Sequence, residues 1–349
     1  MKYEAVVAFK QEILAEIDSK LGIDNPAAQV ETILNQRPEN RIAVGFSQIE
    51  EGNFRLELRI QRRDQWAYRY AQSLVERVKA EVNYEIIPRI EIPGDKETKE
   101  ALRCTPIIDR PTPLQMGLSI GTKDGGIGTL GAFLSRQDGD YLLSCNHVMV
   151  SGVGARISQG LIPGDAIFHP GREMNYRLDA TRQIAILANY VHLSSGDNDI
   201  DCAIAKIDPS WEYEGTQIPK DSSYPNAGQA IHMMQAADQV LQRDMILCKI
   251  GRTTCYTRGV LRAMDIDRVP VLIPGLGNVL FNNVIEVRSL EKHEPFSLAG
   301  DSGSLVFTED GLQAIGLVFA GGMREDGYKV TYICKLEPIL SWAKAALLN

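Results

Sequence analysis

One stretch limits the folds open to this chain: Phe296-Ser297-Leu298-Ala299-Gly300-Asp301-Ser302-Gly303-Ser304-Leu305-Val306. Glycines at 300 and 303 bracket a short turn, and an apolar run starts directly behind it. Such a turn can lift a serine hydroxyl off the backbone. It can also aim neighbouring N–H groups at one point, where a developing oxyanion is held. Glycine permits the backbone angles this needs. Gly, Asp and Ser also build ordinary surface turns. Ser302 is therefore a candidate nucleophile only if a base and an orienting acid exist elsewhere.

The chain has five histidines, at 147, 169, 192, 232 and 293. His147 closes Tyr141-Leu142-Leu143-Ser144-Cys145-Asn146-His147-Val148, an apolar run that reads as a buried strand. A strand end can hold an imidazole rigidly over a cleft. Asp201 lies in Asn198-Asp199-Ile200-Asp201-Cys202-Ala203-Ile204-Ala205-Lys206-Ile207, where a carboxylate enters a strand of alternating apolar residues. A buried carboxylate needs a hydrogen-bond donor, and the imidazole N–H supplies one. Asp199 is its rival. In chain order the candidates are His147, Asp201 and Ser302.

At these residues the chain resembles the chymotrypsin/trypsin-like serine peptidases, which share the order His, Asp, Ser, a strand-end His, a D-x-A-[LI] strand and G-D-S-G. In motif it looks most like the intracellular bacterial and plant peptidases of the NARROW LEAF 1 type. That likeness rests on Gly128-Thr129-Leu130-Gly131, Leu143-Ser144-Cys145-Asn146-His147-Val148, Gly164-Asp165-Ala166-Ile167-Phe168-His169-Pro170-Gly171, Gly251-Arg252-Thr253-Thr254 and Gly300-Asp301-Ser302-Gly303-Ser304-Leu305-Val306. It covers about residues 113–345.

The resemblance implies a mainly β fold, a two-barrel chymotrypsin-like peptidase domain over 113–349, preceded by a small α+β domain over 1–95 and a linker over 96–112. It implies Ser302 as nucleophile, His147 as base and Asp201, which alone stands at the D-x-A-I position, as the orienting acid. The N–H groups of Gly300 and Ser302 would form the oxyanion hole. Phe296 would lie at the base of the primary pocket, and Phe319-Ala320-Gly321 would be the edge that pairs with an extended substrate. No acid stands at that base, so an apolar or small side chain is the expected cleaved residue. The junction of a basic residue with Ile-Val-Gly-Gly, found in secreted zymogens, is missing. Control is then expected from a regulatory protein partner, an effector or the N-terminal domain. The expected partner at the site is a protein or peptide substrate, and no cofactor is implied. Two rivals stand beside this reading: a catalytically silent peptidase fold used for binding, and a serine hydrolase of non-peptide esters.

Composition narrows the classes further. A net charge of −8 argues mildly against nucleic acid or anionic membrane as the main partner. No stretch approaches the roughly 18 apolar residues of a membrane helix. Met1 to Glu12 carries charge inside any candidate signal core, so no signal peptide is expected. The six cysteines are scattered without a C-x-x-C pair and read as free thiols in a reducing cytoplasm. His169 and His192 lack metal-ligand spacing, and no metal site is expected. The residues do not reveal the oligomeric state.

Along the chain, Val6, Phe9, Ile13, Ile17 and Leu21 predict an amphipathic helix over 3–21 with Gly22 at its end. Strands are expected over 41–47 and 54–61, a helix over 66–82 and a strand over 84–92. Four prolines and the charged run 95–100 mark the linker. Residues 126–131 match G-x-G-x-x-G, but strands rather than a strand and a helix surround them, so a barrel hairpin is the better reading. Asp138-Gly139 predicts a hairpin placing 141–144 beside 129–134. Further strands are expected over 184–193, 245–250, 314–319 and 328–336, two over 271–287, and a closing helix over 337–348.

Overall fold

A computed structural model describes residues 1–20, 42–61, 65–92, 113–123, 126–150, 164–171, 180–220, 222–234 and 241–349. The expected linker 96–112, Gly22 and Cys104 lie outside these residues, as does part of the segment after Val150.

Helix α1 (Tyr3–Lys20) buries Val6, Ile13 and Ile17 of the expected stripe together with Lys10 and Leu14, while Phe9 is half-buried and Leu21 lies outside the described residues. Strands β1 (Ile42–Glu50) and β2 (Asn53–Ile60) form an antiparallel hairpin across Glu51-Gly52. Helix α2 (Gln65–Val78) and a 3-10 turn lead to β3 (Val82–Ile86), which runs parallel to β2. The strand expected over 84–92 is in fact two. Pro88 lacks an N–H and interrupts pairing, and β4 (Ile90–Glu91) joins different neighbours from β3.

The next strands form a first barrel. They are β5 (Ser119–Gly121), β6 (Ile127–Thr129), β7 (Ala132–Arg136) and β8 (Gly139–Ser144), then, after the short helix α3 (Asn146–Met149), β9 (Ala166–Phe168), β10 (Gln183–Tyr190) and β12 (Ala203–Ile207), while β11 (Asp197–Asn198) leaves this sheet to pair with a strand of the other sheet. These seven pair in the order β7-β8-β12-β10-β9-β5-β6. β6 and β7 are two arms of one run bent at Leu130-Gly131, so the circuit closes. The G-x-G-x-x-G match is this bend. The Asp138-Gly139 hairpin forms between β7 and β8.

After β13 (His232–Met233), the second barrel comprises β14 (Ile246–Gly251), β15 (Cys255–Asp267), β18 (Val284–Ser289), β19 (Leu305–Thr308), β20 (Gln313–Met323) and β21 (Lys329–Lys335). It closes through β14-β15-β18-β21-β20-β19 and back to β14. The hairpin of β16 (Val269–Ile273) and β17 (Gly277–Phe281) stands outside that circuit. The stretch 271–287 thus holds parts of three strands rather than two. Helix α4 (Leu336–Ala343) is shorter than expected. Lys344 takes a left-handed φ of 51° and ends it, and β22 (Ala346–Leu347) pairs back onto β7.

β1 also pairs with the far end of β15, so the N-terminal sheet is continuous with the second barrel. A buried polar seam runs through the join. Arg59 Nε donates to Glu286 at 2.9 Å and its Nη1 to Glu57 at 3.1 Å. Tyr332 Oη donates to Glu286, while Ser47 Oγ, Asn83 Nδ2 and Arg243 Nη1 donate to Glu57. The cysteine reading needs one correction. Cys145, Cys202, Cys248 and Cys334 are free, but Cys255 is disulfide-bonded. Sequence spacing carries no trace of a bridge between cysteines that only the fold brings together.

Candidate active site

Three loops meet where the barrels face each other. Strand β8 delivers His147 on α3, β12 is preceded by Asp201, and the turn before β19 carries Ser302. Asp201 is buried, and its Oδ2 lies 2.5 Å from His147 Nδ1. The His147 backbone N–H donates to Oδ1 at 3.3 Å. One carboxylate therefore fixes both the ring and the backbone of the same residue. Asp199 is exposed and takes no part in this pairing.

Thr129 ties the serine turn to the first barrel. Its N–H donates to Ser302 O at 2.8 Å, and its hydroxyl donates to Gly300 O at 2.9 Å. Its own carbonyl accepts from Ser144 Oγ at 2.7 Å. Val318 O is a second tie, accepting from Gly303 N at 2.8 Å and from Cys145 Sγ at 3.2 Å. The neighbours of Ser302 and of His147 thus share one carbonyl. Gly300 and Gly303 have φ of 93° and 89°, a left-handed region that side chains rarely enter. A Cβ on Gly303 would also lie 2.5 Å from Thr129 O.

Asp301 holds the turn from inside. Its buried carboxylate accepts from the N–H groups of Thr253, Thr254 and Leu298 at 2.9 to 3.1 Å, and from Thr254 Oγ1 at 2.7 Å. Lys249 Nζ, equally buried, sits 3.3 Å away. Burial pulls the Lys249 ammonium below its usual range, while Asp301 pushes it back up.

No family model matches the sequence, and no curated protein matches it. Among solved structures the chain is similar to Thermobifida fusca Protease A, at 13% identity and TM-score 0.46, over 68% of this chain and 100% of that one. It is likewise similar to Nocardiopsis Protease, at 15% identity and TM-score 0.46, over 68% and 100%. Cellulomonas bogoriensis Chymotrypsin is a third such structure, at 15% identity and TM-score 0.43, over 67% and 98%.

The serine and the histidine are close to sealed. Ser302 is 4% exposed and His147 9%. His147 Nε2 is buried and makes no hydrogen bond among the described residues, to Ser302 or to any other. The amides of Gly300 and Ser302 donate no hydrogen bond among the described residues. Phe296 packs its ring in the interior of the second barrel, against Gly259, and shows no surface to solvent. Phe319 is also buried, with its ring 4.6 Å from that of Phe281. Ala320 and Gly321 continue β20, but Gly321 is already paired, with Glu91 of β4.

The fold also gathers Cys145, His147 and Asp201, whose ligand atoms lie within 4.8 Å of one another. Sequence spacing gives no sign of this cluster. The Cys145 thiol is pushed well up by burial and by Asp201, and it already donates to Val318 O. A cation would have to displace that bond and the His147–Asp201 bond together. His169 is buried with Nδ1 2.7 Å from Ser119 O, and His192 is exposed. Among the described residues, no helix is long and apolar enough to cross a membrane.

Sequence reasoning missed Thr129, Val318 and Lys249. Lys249 left the clearest signal, a lysine in the otherwise apolar run Met245–Ile250. A cation inside a buried strand requires an anion, and Asp301 is that anion.

Proposed function

We propose that the chain is a serine endopeptidase. Ser302 attacks a peptide carbonyl. His147 Nε2 takes the serine proton and then gives it to the leaving amine. Asp201 keeps the proton on Nδ1 and stabilises the imidazolium. The amides of Gly300 and Ser302 hold the oxyanion, a role for which their lack of other partners suits them. An extended substrate adds to β20 along Phe319-Ala320-Gly321, and an apolar or small side chain enters the pocket beside Phe296. The motifs over 113–345 favour kinship with the NARROW LEAF 1-type peptidases. A regulatory partner or the N-terminal region would restrain the activity. A cytoplasmic location loses its support from cysteine usage, because Cys255 is disulfide-bonded.

The observation that carries this reading is the buried His147–Asp201 pair, whose far nitrogen is left unbonded. One observation favours the silent-fold reading, namely that this nitrogen makes no bond to Ser302. Apo active sites often have such loose pairs. Labelling with a small alkyl fluorophosphonate decides between them. Wild type should label and Ser302→Ala and His147→Ala should not. Folded wild type that fails to label overturns the peptidase reading. If it labels yet hydrolyses small esters and cleaves no peptide in a library, the esterase reading takes its place.

A further inference from the structure

β20 has two edges. One pairs with β21 from Gly316 to Met323. The other pairs with β19 only as far as Leu317, opposite Leu305. Val318 then bonds Gly303 and Ser304, next to the nucleophile. The following residues of that edge, 319–322, are where β19 has turned away. A free strand edge beside a nucleophile is where an extended peptide can add by backbone pairing.

In this structure that edge is taken. β4 lies antiparallel to β20, with Glu91 opposite Gly321. A Cβ on Gly322 would be 2.5 Å from Arg89 O, so residues 89–91 follow the edge closely. β16 holds β4 from the other side, with Val271 opposite Ile90 and Leu272 opposite Glu91, and Ile92 N donates to Leu272 O at 3.0 Å. Ile90 and Ile92 are buried in the same core as Val271, Phe281 and Phe319, while Glu91 points out. The order β11-β17-β16-β4-β20 forms a ribbon from the loop before Asp201 to the edge beside Ser302. The low exposure of Ser302 and His147 is consistent with this closed arrangement.

We propose that residues 90–92 occupy the substrate edge of β20 in the manner of a bound peptide, so that the protein as folded here is latent. Displacing them admits an extended peptide with apolar side chains at alternate positions, the pattern of Ile90-Glu91-Ile92. This rests on the peptidase reading above and adds the control of that site.

The test compares wild type with Glu91→Pro, which removes a strand donor, and Ile92→Asn, which weakens the buried anchor. Circular dichroism and thermal melting establish which variants fold. Each is assayed with a small alkyl fluorophosphonate, which needs no strand edge, and with a fluorogenic peptide of alternating apolar residues, which does. If the open form is a minor population, releasing β4 should raise peptide turnover about ten- to a hundredfold. Labelling by the small probe should be the same in wild type and in the variants. A second readout uses wild type alone. Labelling Ser302 with a peptidyl phosphonate of the same sequence should speed hydrogen exchange at the Ile92 amide, whereas the small probe should not. Folded variants that label like wild type but cleave the peptide no faster overturn the latency. Absence of labelling in every folded form overturns the peptidase reading and the latency with it.

Discussion

Asp201 is the residue whose loss should be most selective. Asp201→Asn keeps the volume but disturbs the tautomer that Nδ1 must hold. It should leave the fold intact and lower turnover by about 10⁴, read as single-turnover labelling rates. Lys249→Met is expected to act differently. It leaves the Asp301 carboxylate buried without its cation, so about 3–5 kcal/mol of stability should be lost in a denaturant titration. Labelling should fall with it, because Asp301 holds the turn that presents Ser302. The free thiols near Asp201 make a third case. Burial, with the Asp201 charge, holds Cys145, Cys202 and Cys334 well above the usual thiol range. They should resist a thiol-exchange reagent at pH 8 in native protein and react fully in guanidinium.

Elements were legible where their pattern was local. Most of the stripe on α1 and the Asp138-Gly139 hairpin appear as their residues imply, whereas the alternation of β2 implies a half-exposed strand and its polar Glu57 and Arg59 are buried in the seam instead. The His147–Asp201 pair forms as its two motifs imply, while the far nitrogen of His147 makes no bond to Ser302. What failed to show was pairing across the sequence. Nothing in Ile90-Glu91 says that it lies between Leu272 and Gly321, since two residues carry no period. Nothing in Ala346-Leu347 says strand, since the apolar spacing after Glu337 fits a helix equally well. The left-handed Lys344 and the partner β7 decide it. Deleting residues 346–349 should remove the bonds from Leu348 N to Phe133 O and from Thr216 N to Leu348 O, besides the β22 pairs. At about 1 kcal/mol per net hydrogen bond, a clear drop in the thermal midpoint is expected.

Across the whole molecule, the join between the N-terminal sheet and the second barrel depends on charge. Burial works against ionisation of Glu85, but Arg59, Arg324 and Arg262 outweigh it and hold the carboxyl at about 2, below its ordinary 4.5. A depressed folded value means stability that is present above 4.5 and drains away as pH falls towards 2. The thermal midpoint of wild type should therefore drop through that window, and Glu85→Gln should flatten the slope. The continuity of β1 with β15 was not readable, because edge pairing depends on where two distant strands end up. The two barrels are completed at different points of synthesis. The first keeps one edge of β7 uncovered until residues 346–348 emerge from the ribosome, after the second barrel has been translated. A chain truncated just short of Ala346 would display two closed strand circuits and one bare edge of β7, a state on which chaperones and neighbouring chains can act.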